Sequence, residues 1–130
     1  MTGRMTRVAA LLLVAVAAGN ADDAGFLRWW THFQASVAKG DGNAVAEGAQ
    51  FPMDWEFGSV RKIQAKAALT DRFDSYFTAD IRKAVATQQP ARLPNGMYCI
   101  TWKARGNEYS LYFKPMGGTY ALDSLSEGPP

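Results

Sequence analysis

The stretch MYCITWKARGNEYSLYFKPMGGTYALDSL, residues 97–125, decides the fold. It contains three runs in which apolar and polar side chains alternate, namely Met97–Ala104, Glu108–Pro115 and Thr119–Leu125. Alternation with a period of two is the pattern of a β-strand with one buried face. The links RGN and MGG between the runs are short and contain glycine, which favours tight reversals between neighbouring strands. The sequence therefore predicts a three-stranded antiparallel meander over these residues.

The chain before this meander begins with a helical pattern. Phe26, Trp30, Phe33 and Val37 follow the spacing i, i+4, i+7 and i+11, which places them in one stripe of a helix. The pattern predicts a helix over about residues 23–39, which ends where Gly-Asp-Gly follows.

Further elements are predicted between this helix and the meander. A short helix capped by Asn43 is expected to end near residue 49. The alternating run 51–57 predicts a strand, and Pro52 places it at a sheet edge or restricts the proline to the first part of the strand. Two more helices are predicted, one over about 65–76 and one that opens at Thr78 and stops before Pro90.

This order of elements resembles that of the NTF2-like superfamily, and particularly of its small exported bacterial members. The resemblance rests on the aromatic first helix up to Gly40-Asp41, on Phe51-Pro52, on residues 73–77 (FDSYF) and on residues 117–122 (GGTYAL). It implies an α+β cone in which N-terminal helices pack on a curved, mostly antiparallel sheet. It also implies a pocket between the two layers. The superfamily includes enzymes, transport factors and binding modules, so the resemblance does not define a function.

The first 21 residues have the pattern of a secretory signal peptide. Arg4 and Arg7 precede an apolar run over residues 8–18, and the small residues Gly19-Asn20-Ala21 follow it. Cleavage is expected near Ala21, with residues 16–18 as a competing site, and it leaves residues 22–130 as one domain. A retained membrane anchor is the alternative, but this apolar run is short compared with the about 20 residues of a spanning helix. The predicted location is the periplasm or the exterior.

Removal of the leader changes the charge of the protein. The full chain carries 14 Lys and Arg against 12 Asp and Glu, with a calculated pI of about 8.8. Two arginines leave with the leader and every acidic residue stays, so the mature charges balance. A balanced charge argues against nucleic acid and anionic membrane surfaces as partners.

The cysteine content indicates how the domain is stabilised. Cys99 is the only cysteine of the sequence, so an intramolecular disulfide is excluded and no lipid-attachment cysteine follows the apolar run. We expect Cys99 to be a buried, inert thiol in a strand. Stability must then come from packing, for which the chain supplies four Trp, five Tyr and seven Phe.

The candidate site residues are mostly aromatic. A pocket beneath the helices would be lined by aromatic side chains, although plain core packing is the competing interpretation for each. The ligand-binding candidates are Trp30, Trp55, Tyr98, Trp102 and Tyr112. His32 and Asp54 are the one pair that could serve as acid and base. The sequence contains no metal-ligand set and no cofactor motif, so neither a metal nor a cofactor is expected.

Three functions follow from these observations. The first is an exported, non-catalytic module that binds a small apolar ligand or a protein partner in the cell envelope. The second is a small enzyme of isomerase or dehydratase type that uses His32 and Asp54. The third is an envelope interaction module that forms a homodimer through its sheet and binds no ligand.

Overall fold

The computed structural model of the chain describes residues 21–129. The predicted signal peptide, with its apolar run at residues 8–18, lies outside these described residues. The structure divides after Thr31 into two compact units.

The described part of the first unit is the beginning of helix α1. Phe26 is buried, and its ring lies 6.0 Å from that of Trp29 and 6.1 Å from that of Trp30, measured between centroids. The Thr31 hydroxyl donates a hydrogen bond to the Leu27 carbonyl oxygen at 2.9 Å. The predicted apolar stripe is confirmed, because Phe26, Trp30, Phe33 and Val37 are each at most 5% exposed.

The described residues form five helices and six strands. The helices are α1 Ala21–Lys39, α2 Gly42–Glu47, α3 Lys66–Asp71, α4 Phe73–Tyr76 and α5 Ala79–Thr87. The strands are β1 Ala49–Phe57, β2 Val60–Ile63, β3 Ala91–Arg92, β4 Tyr98–Ala104, β5 Asn107–Met116 and β6 Thr119–Gly128.

All six strands belong to one open sheet in the order β2-β1-β6-β5-β4-β3. Strands β4, β5 and β6 pair antiparallel, so the predicted meander is confirmed, and β1 and β6 form the parallel pair. Register shifts interrupt the pairing of β1 and of β6, and such bulges bend a strand. The predicted fold class is confirmed: the protein is α+β, with helices packed on a curved, mostly antiparallel sheet.

One face of the sheet packs against helices, and we call it the helix-facing surface. Within the second unit, the Phe33 ring of α1 lies edge-on to Phe113 of β5 at 5.4 Å. The Phe77 ring, which follows α4, lies 5.3 Å from that of Trp55 on β1. Alternation and strand register then place Tyr98 and Trp102 of β4 on the same surface. We call the opposite face the open surface.

Some element boundaries differ from the prediction for local reasons. The predicted helix over 65–76 is two helices, α3 and α4, which are separated at Arg72. The short helix α2 is capped by Asp41, whose Oδ1 accepts from the Ala44 backbone N–H at 3.1 Å, and not by Asn43. The short strands β2 and β3 were not predicted.

Pro52 predicted either that β1 lies at a sheet edge or that the proline lies in the first part of the strand. The edge position is wrong, because β1 lies between β2 and β6. The proline is accommodated because the pairing of β1 with β6 shifts register between Ala49 and Asp54, and the paired residues of β2 begin opposite Met53. Pro52 therefore lies at a position where no regular ladder bond is required of it.

None of the helices within the described residues combines the length and the apolar character that a membrane-crossing helix needs.

Candidate ligand-binding site

The predicted aromatic candidates divide between the two surfaces of the sheet. Trp55, Tyr98 and Trp102 lie on the helix-facing surface. Trp55 is 0% exposed and Tyr98 is 5% exposed, whereas Trp102 is half-buried. The first two are therefore part of the packed core, and Trp102 is the candidate that reaches the surface.

Tyr112 lies on the open surface, between Cys99 of β4 and Ser124 of β6 in the strand register. It is half-buried there and does not share a surface with Trp102. Cys99 is half-buried, not fully buried as predicted. Burial raises the pKa of the Cys99 thiol, so the protonated form is favoured, and this agrees with the prediction of an inert thiol.

Trp30 lies in the first unit and is 4% exposed. Its ring is stacked on that of Phe26, with an angle of 17° between the ring planes.

The structure does not bring His32 and Asp54 together. His32 is an exposed residue of α1, and Asp54 is an exposed residue on the open surface of β1. The Asp54 carboxylate accepts from Lys62 Nζ at 2.8 Å, and no hydrogen bond joins it to His32 within residues 21–129. The pair therefore does not form an acid–base arrangement here.

A row of three aromatic rings crosses the helix-facing surface near one end of the sheet. The Tyr109 ring of β5 lies 5.8 Å from the Trp102 ring of β4, with an interplanar angle of 19°. On its other side, Tyr109 lies 5.8 Å from the Phe57 ring of β1. We call Phe57, Tyr109 and Trp102 the aromatic row. Tyr109 is 1% exposed, so the row is buried in its middle and becomes accessible at Trp102.

Arg105 closes the end of this row. It lies in the β4–β5 turn with φ 54°, followed by Gly106 at φ 75°, which is the backbone of a tight hairpin turn. Its guanidinium carbon lies 4.5 Å from the centroid of the Phe57 ring. Its two terminal nitrogens donate to the carboxylate of Asp80 at 2.8 and 2.9 Å. One side chain thus connects the hairpin, β1 and the first turn of α5.

Asp80 is held in its ionised form by this arrangement. Burial by itself would raise the pKa of the carboxyl group, but hydrogen bonds from Arg105 and from the Thr78 hydroxyl outweigh it and leave the pKa lowered. Thr78 precedes α5 as predicted, but its hydroxyl donates to Asp80 at 2.8 Å and does not cap the helix backbone.

Glu127 of β6 faces the middle of the aromatic row. Its Oε2 accepts a short hydrogen bond from the Tyr109 hydroxyl and a longer one from Asn107 Nδ2 at 3.4 Å. Burial raises the pKa of Tyr109 and the bond to Glu127 raises it further, whereas Arg105 and Asn107 act in the opposite direction. The phenol therefore remains a proton donor that fixes the carboxylate in place.

A cavity of about 240 Å³ lies between α5 and β4, beside the accessible end of the aromatic row. Trp102 forms its wall on the sheet side. The helix side is a stripe with the spacing i, i+3, i+4 and i+7, and the lining residues are Asp80, Lys83, Ala84, Thr87, Gln88, Trp102 and Lys103. We call this space the α5–β4 cavity.

The Trp102 indole N–H is buried and has no acceptor within the described part of the chain. The same holds for Trp55, which lies in the core. A buried donor without an acceptor costs about 1–3 kcal/mol. Because this nitrogen is buried, a molecule in the α5–β4 cavity would contact Trp102 away from its N–H.

Two other depressions are chemically different. One has about 490 Å³ and is lined mostly by polar residues of 40–43 and 70–75, none of which belongs to the aromatic row. Another is lined by Glu56, Arg61 and Glu127. Within residues 21–129, no group of three or more His, Cys, Asp or Glu side chains is arranged to hold a metal ion.

The sequence predicted the aromatic wall of this site better than its charged residues. The alternating run Glu108–Pro115 contains Tyr109 and was predicted as a strand, and the link RGN at Arg105-Gly106 was predicted as a tight reversal. The pairing of Arg105 with Asp80 was missed, because these residues lie 25 positions apart and only the packing of α5 on β4 brings them together. The predicted last strand ended at Leu125, but β6 continues through Glu127.

The fold and the site define the second unit as an α+β domain with a cavity between helix α5 and the sheet. No family model matches the chain, and no curated protein matches it. Two of the four solved chains that match it illustrate the similarity. One, named "Putative calcium/calmodulin dependent protein kinase II association domain" and from Xanthomonas campestris, is 12% identical, with 89% of this chain and 92% of that chain covered and a TM-score of 0.47.

The other, named Rd1NTF2_05 with five substitutions, is 7% identical, with 84% of this chain and 100% of that chain covered and a TM-score of 0.47. At these identities and TM-scores, the fold assignment rests on the strand order and helix packing described above.

Proposed function

We propose that the chain is an exported, non-catalytic module that binds a small, largely apolar ligand in the α5–β4 cavity. The observation that carries the proposal is the position of Trp102. Its ring forms the wall of the cavity, is partly accessible and continues into the aromatic row. A partly exposed aromatic wall beside open space is a common way to bind a planar, largely apolar ligand.

The competing interpretation of Trp102 is core packing. Two other candidates, Trp55 and Tyr98, show the exposure of residues that are packed in the core. Trp55 and Tyr98 are 0% and 5% exposed and line no described cavity near the row. Trp102 differs from both because it is half-buried and borders open space. This difference supports a binding role for Trp102 alone among the three.

The arrangement of charges supports binding without catalysis. The carboxylate of Asp80 is engaged by Arg105 and Thr78, and that of Glu127 by Tyr109 and Asn107. Carboxylates held in this way orient the walls of a site. A general base needs a carboxylate or imidazole that reaches a substrate proton.

Export is the part of the proposal that rests on the leader pattern. A positive segment, a short apolar run and small residues near Ala21 support translocation and cleavage. The first residue of the protein recovered from the cell envelope or the medium, determined by N-terminal sequencing, should lie near Asp22. An N-terminus that retains residues 8–18 would contradict cleavage.

The binding site is tested by a pair of aromatic substitutions on opposite surfaces of the sheet. We expect a naphthamide, which is planar, neutral and carries an acceptor oxygen, to bind saturably to the mature domain in isothermal titration calorimetry. Trp102→Ala should weaken this binding about tenfold or more, because the stacking wall is lost. Tyr112→Ala should leave it unchanged, because Tyr112 lies on the open surface.

Two further measurements distinguish a loss of binding from a loss of folding. Urea unfolding of each variant shows whether the fold is retained, and Trp102→Phe keeps a ring but removes the N–H. Binding that is absent in the unsubstituted domain, or that is equal in the domain and in folded Trp102→Ala, would overturn the proposal.

A further inference from the structure

The charges around the α5–β4 cavity are not balanced locally. Asp80 is the acidic residue of the lining, and its carboxylate already pairs with both terminal nitrogens of Arg105 and accepts from Thr78. Its negative charge is therefore compensated within the protein. A ligand in the cavity meets an acidic group with little remaining capacity to accept hydrogen bonds.

The charge of Lys83, unlike that of Asp80, is not compensated by an ion pair within the described residues. Lys83 lies one turn after Asp80 on the cavity side of α5, and it is exposed. Its three N–H donors are available to a bound molecule. Lys103 also lines the cavity, but it lies directly opposite Glu108 in the strand register, so an acidic side chain lies beside it.

The remaining polar groups of the cavity therefore favour acceptors and negative charge. The Lys83 ammonium group is exposed and gives the cavity a surplus of donors. The Trp102 indole N–H does not add to this surplus, because its nitrogen is buried. The volume of about 240 Å³ is below the range typical for drug-sized ligands, which favours a compact molecule.

We propose that the ligand is a small anionic aromatic molecule, whose ring packs against Trp102 while its carboxylate or similar acidic group faces Lys83. This inference rests on the proposed binding function and adds the charge of the ligand to it. The aromatic row supplies the apolar wall, and the Arg105–Asp80 pair keeps the neighbouring acidic side chain from repelling the ligand.

The test compares two probes that have the same ring system and differ in charge. A naphthoate is anionic, and the corresponding naphthamide is neutral. At an ionic strength of about 0.05 M, we expect the naphthoate to bind about three to five times more tightly, which is the range of a partly exposed ion pair. Raising the ionic strength to about 0.5 M should remove most of this preference and leave the naphthamide affinity nearly unchanged.

Substitution of Lys83 then tests whether this residue causes the preference for the naphthoate. Lys83→Gln should make the two affinities nearly equal, and Lys83→Glu should reverse the preference. Lys39→Gln is the matched control, because Lys39 is also an exposed helical lysine but does not line the cavity. It should leave the ratio of the two affinities unchanged.

The outcomes separate this inference from the proposed function. A naphthamide that binds through Trp102 without any preference for the naphthoate would overturn the inference and leave the proposed function standing. A preference that survives Lys83→Gln, or that falls equally with Lys39→Gln, would also overturn the inference. Absence of binding by both probes contradicts the proposed function itself.

Discussion

The two surfaces of the sheet are built from alternate residues of the same strands, yet they have opposite chemistry. Along β4, β5 and β6 the helix-facing surface carries buried or half-buried rings, among them Tyr98, Trp102, Tyr109 and Phe113. The open surface of these strands carries hydroxyl and charged groups. Within the described residues of these three strands, Tyr112 is the aromatic side chain that lies on it. The aromatic richness of the strands is therefore concentrated on one side.

This difference limits what each surface is able to bind. A planar apolar ligand finds an aromatic wall only on the helix-facing surface, at Trp102. The predicted homodimer through the sheet stays a prediction, and it would pair a surface rich in hydroxyl and charged groups, whereas the fully buried cores of interfaces are depleted in charged residues. An abundance of aromatic residues in these strands thus reflects the buried core and not an exposed apolar patch.

The comparison is tested most strongly by two neighbouring residues of β5. Phe113 is 0% exposed and contacts Phe33, whereas Tyr112 points to the open surface. Phe113→Ala should lower the free energy of unfolding by about 3–5 kcal/mol, because it removes a ring from a packed core and leaves a cavity. Tyr112→Ala should lower it by about 1 kcal/mol or less. Urea unfolding with comparison of the m-values measures both.

Equal losses in these two variants would show that the surfaces are not energetically distinct. If Phe113→Ala does not fold, Phe113→Leu keeps the experiment informative, because a swap of one apolar residue for another costs less. Its loss should still exceed that of the corresponding Tyr112→Leu.

The sequence predicted the parts of the fold that depend on local periodicity. The stripe of α1 and the three long strands follow from spacing alone, because burial of one face repeats every 3.6 or 2 residues. The strands β2 and β3 contain four and two residues, which is too short to establish a period. The break at Arg72 and the position of Pro52 inside the sheet depend on packing between distant segments.

The site was predictable to the same extent and for the same reason. Trp102 was recognised because it belongs to an alternating run, but the same rule could not say that Tyr112 faces the other way relative to the helices. Which surface the helices cover is decided by contacts such as Phe33 with Phe113, 80 residues apart. Arg105, Asp80 and Lys83 acquire their roles only through those long-range contacts.

A smaller difference is expected between the contributions of two ion pairs, one from each surface, to the free energy of unfolding. Asp80 on the helix side accepts two hydrogen bonds from Arg105, and Asp54 on the open surface accepts one from Lys62 at 2.8 Å. The Asp80 side chain is 25% exposed and that of Asp54 is 68% exposed. At neutral pH, Asp80→Asn should therefore cost about 1 kcal/mol of unfolding free energy, and Asp54→Asn should cost at most about 0.5 kcal/mol.

The pH dependence of this cost distinguishes a loss of charge from a loss of shape. The pKa of Asp80 is lowered in the folded protein, so the unfolded chain binds its proton first as the pH falls. The stabilisation from Asp80 is therefore fully present above the ordinary Asp value of about 3.9 and is lost as the pH falls through the lower folded value. Urea midpoints of the unsubstituted domain and of Asp80→Asn should differ at pH about 6 and converge on acidification below about 4. A difference that stays constant with pH would assign the cost to packing, and the two surfaces would then differ in shape and not in the strength of their ion pairs.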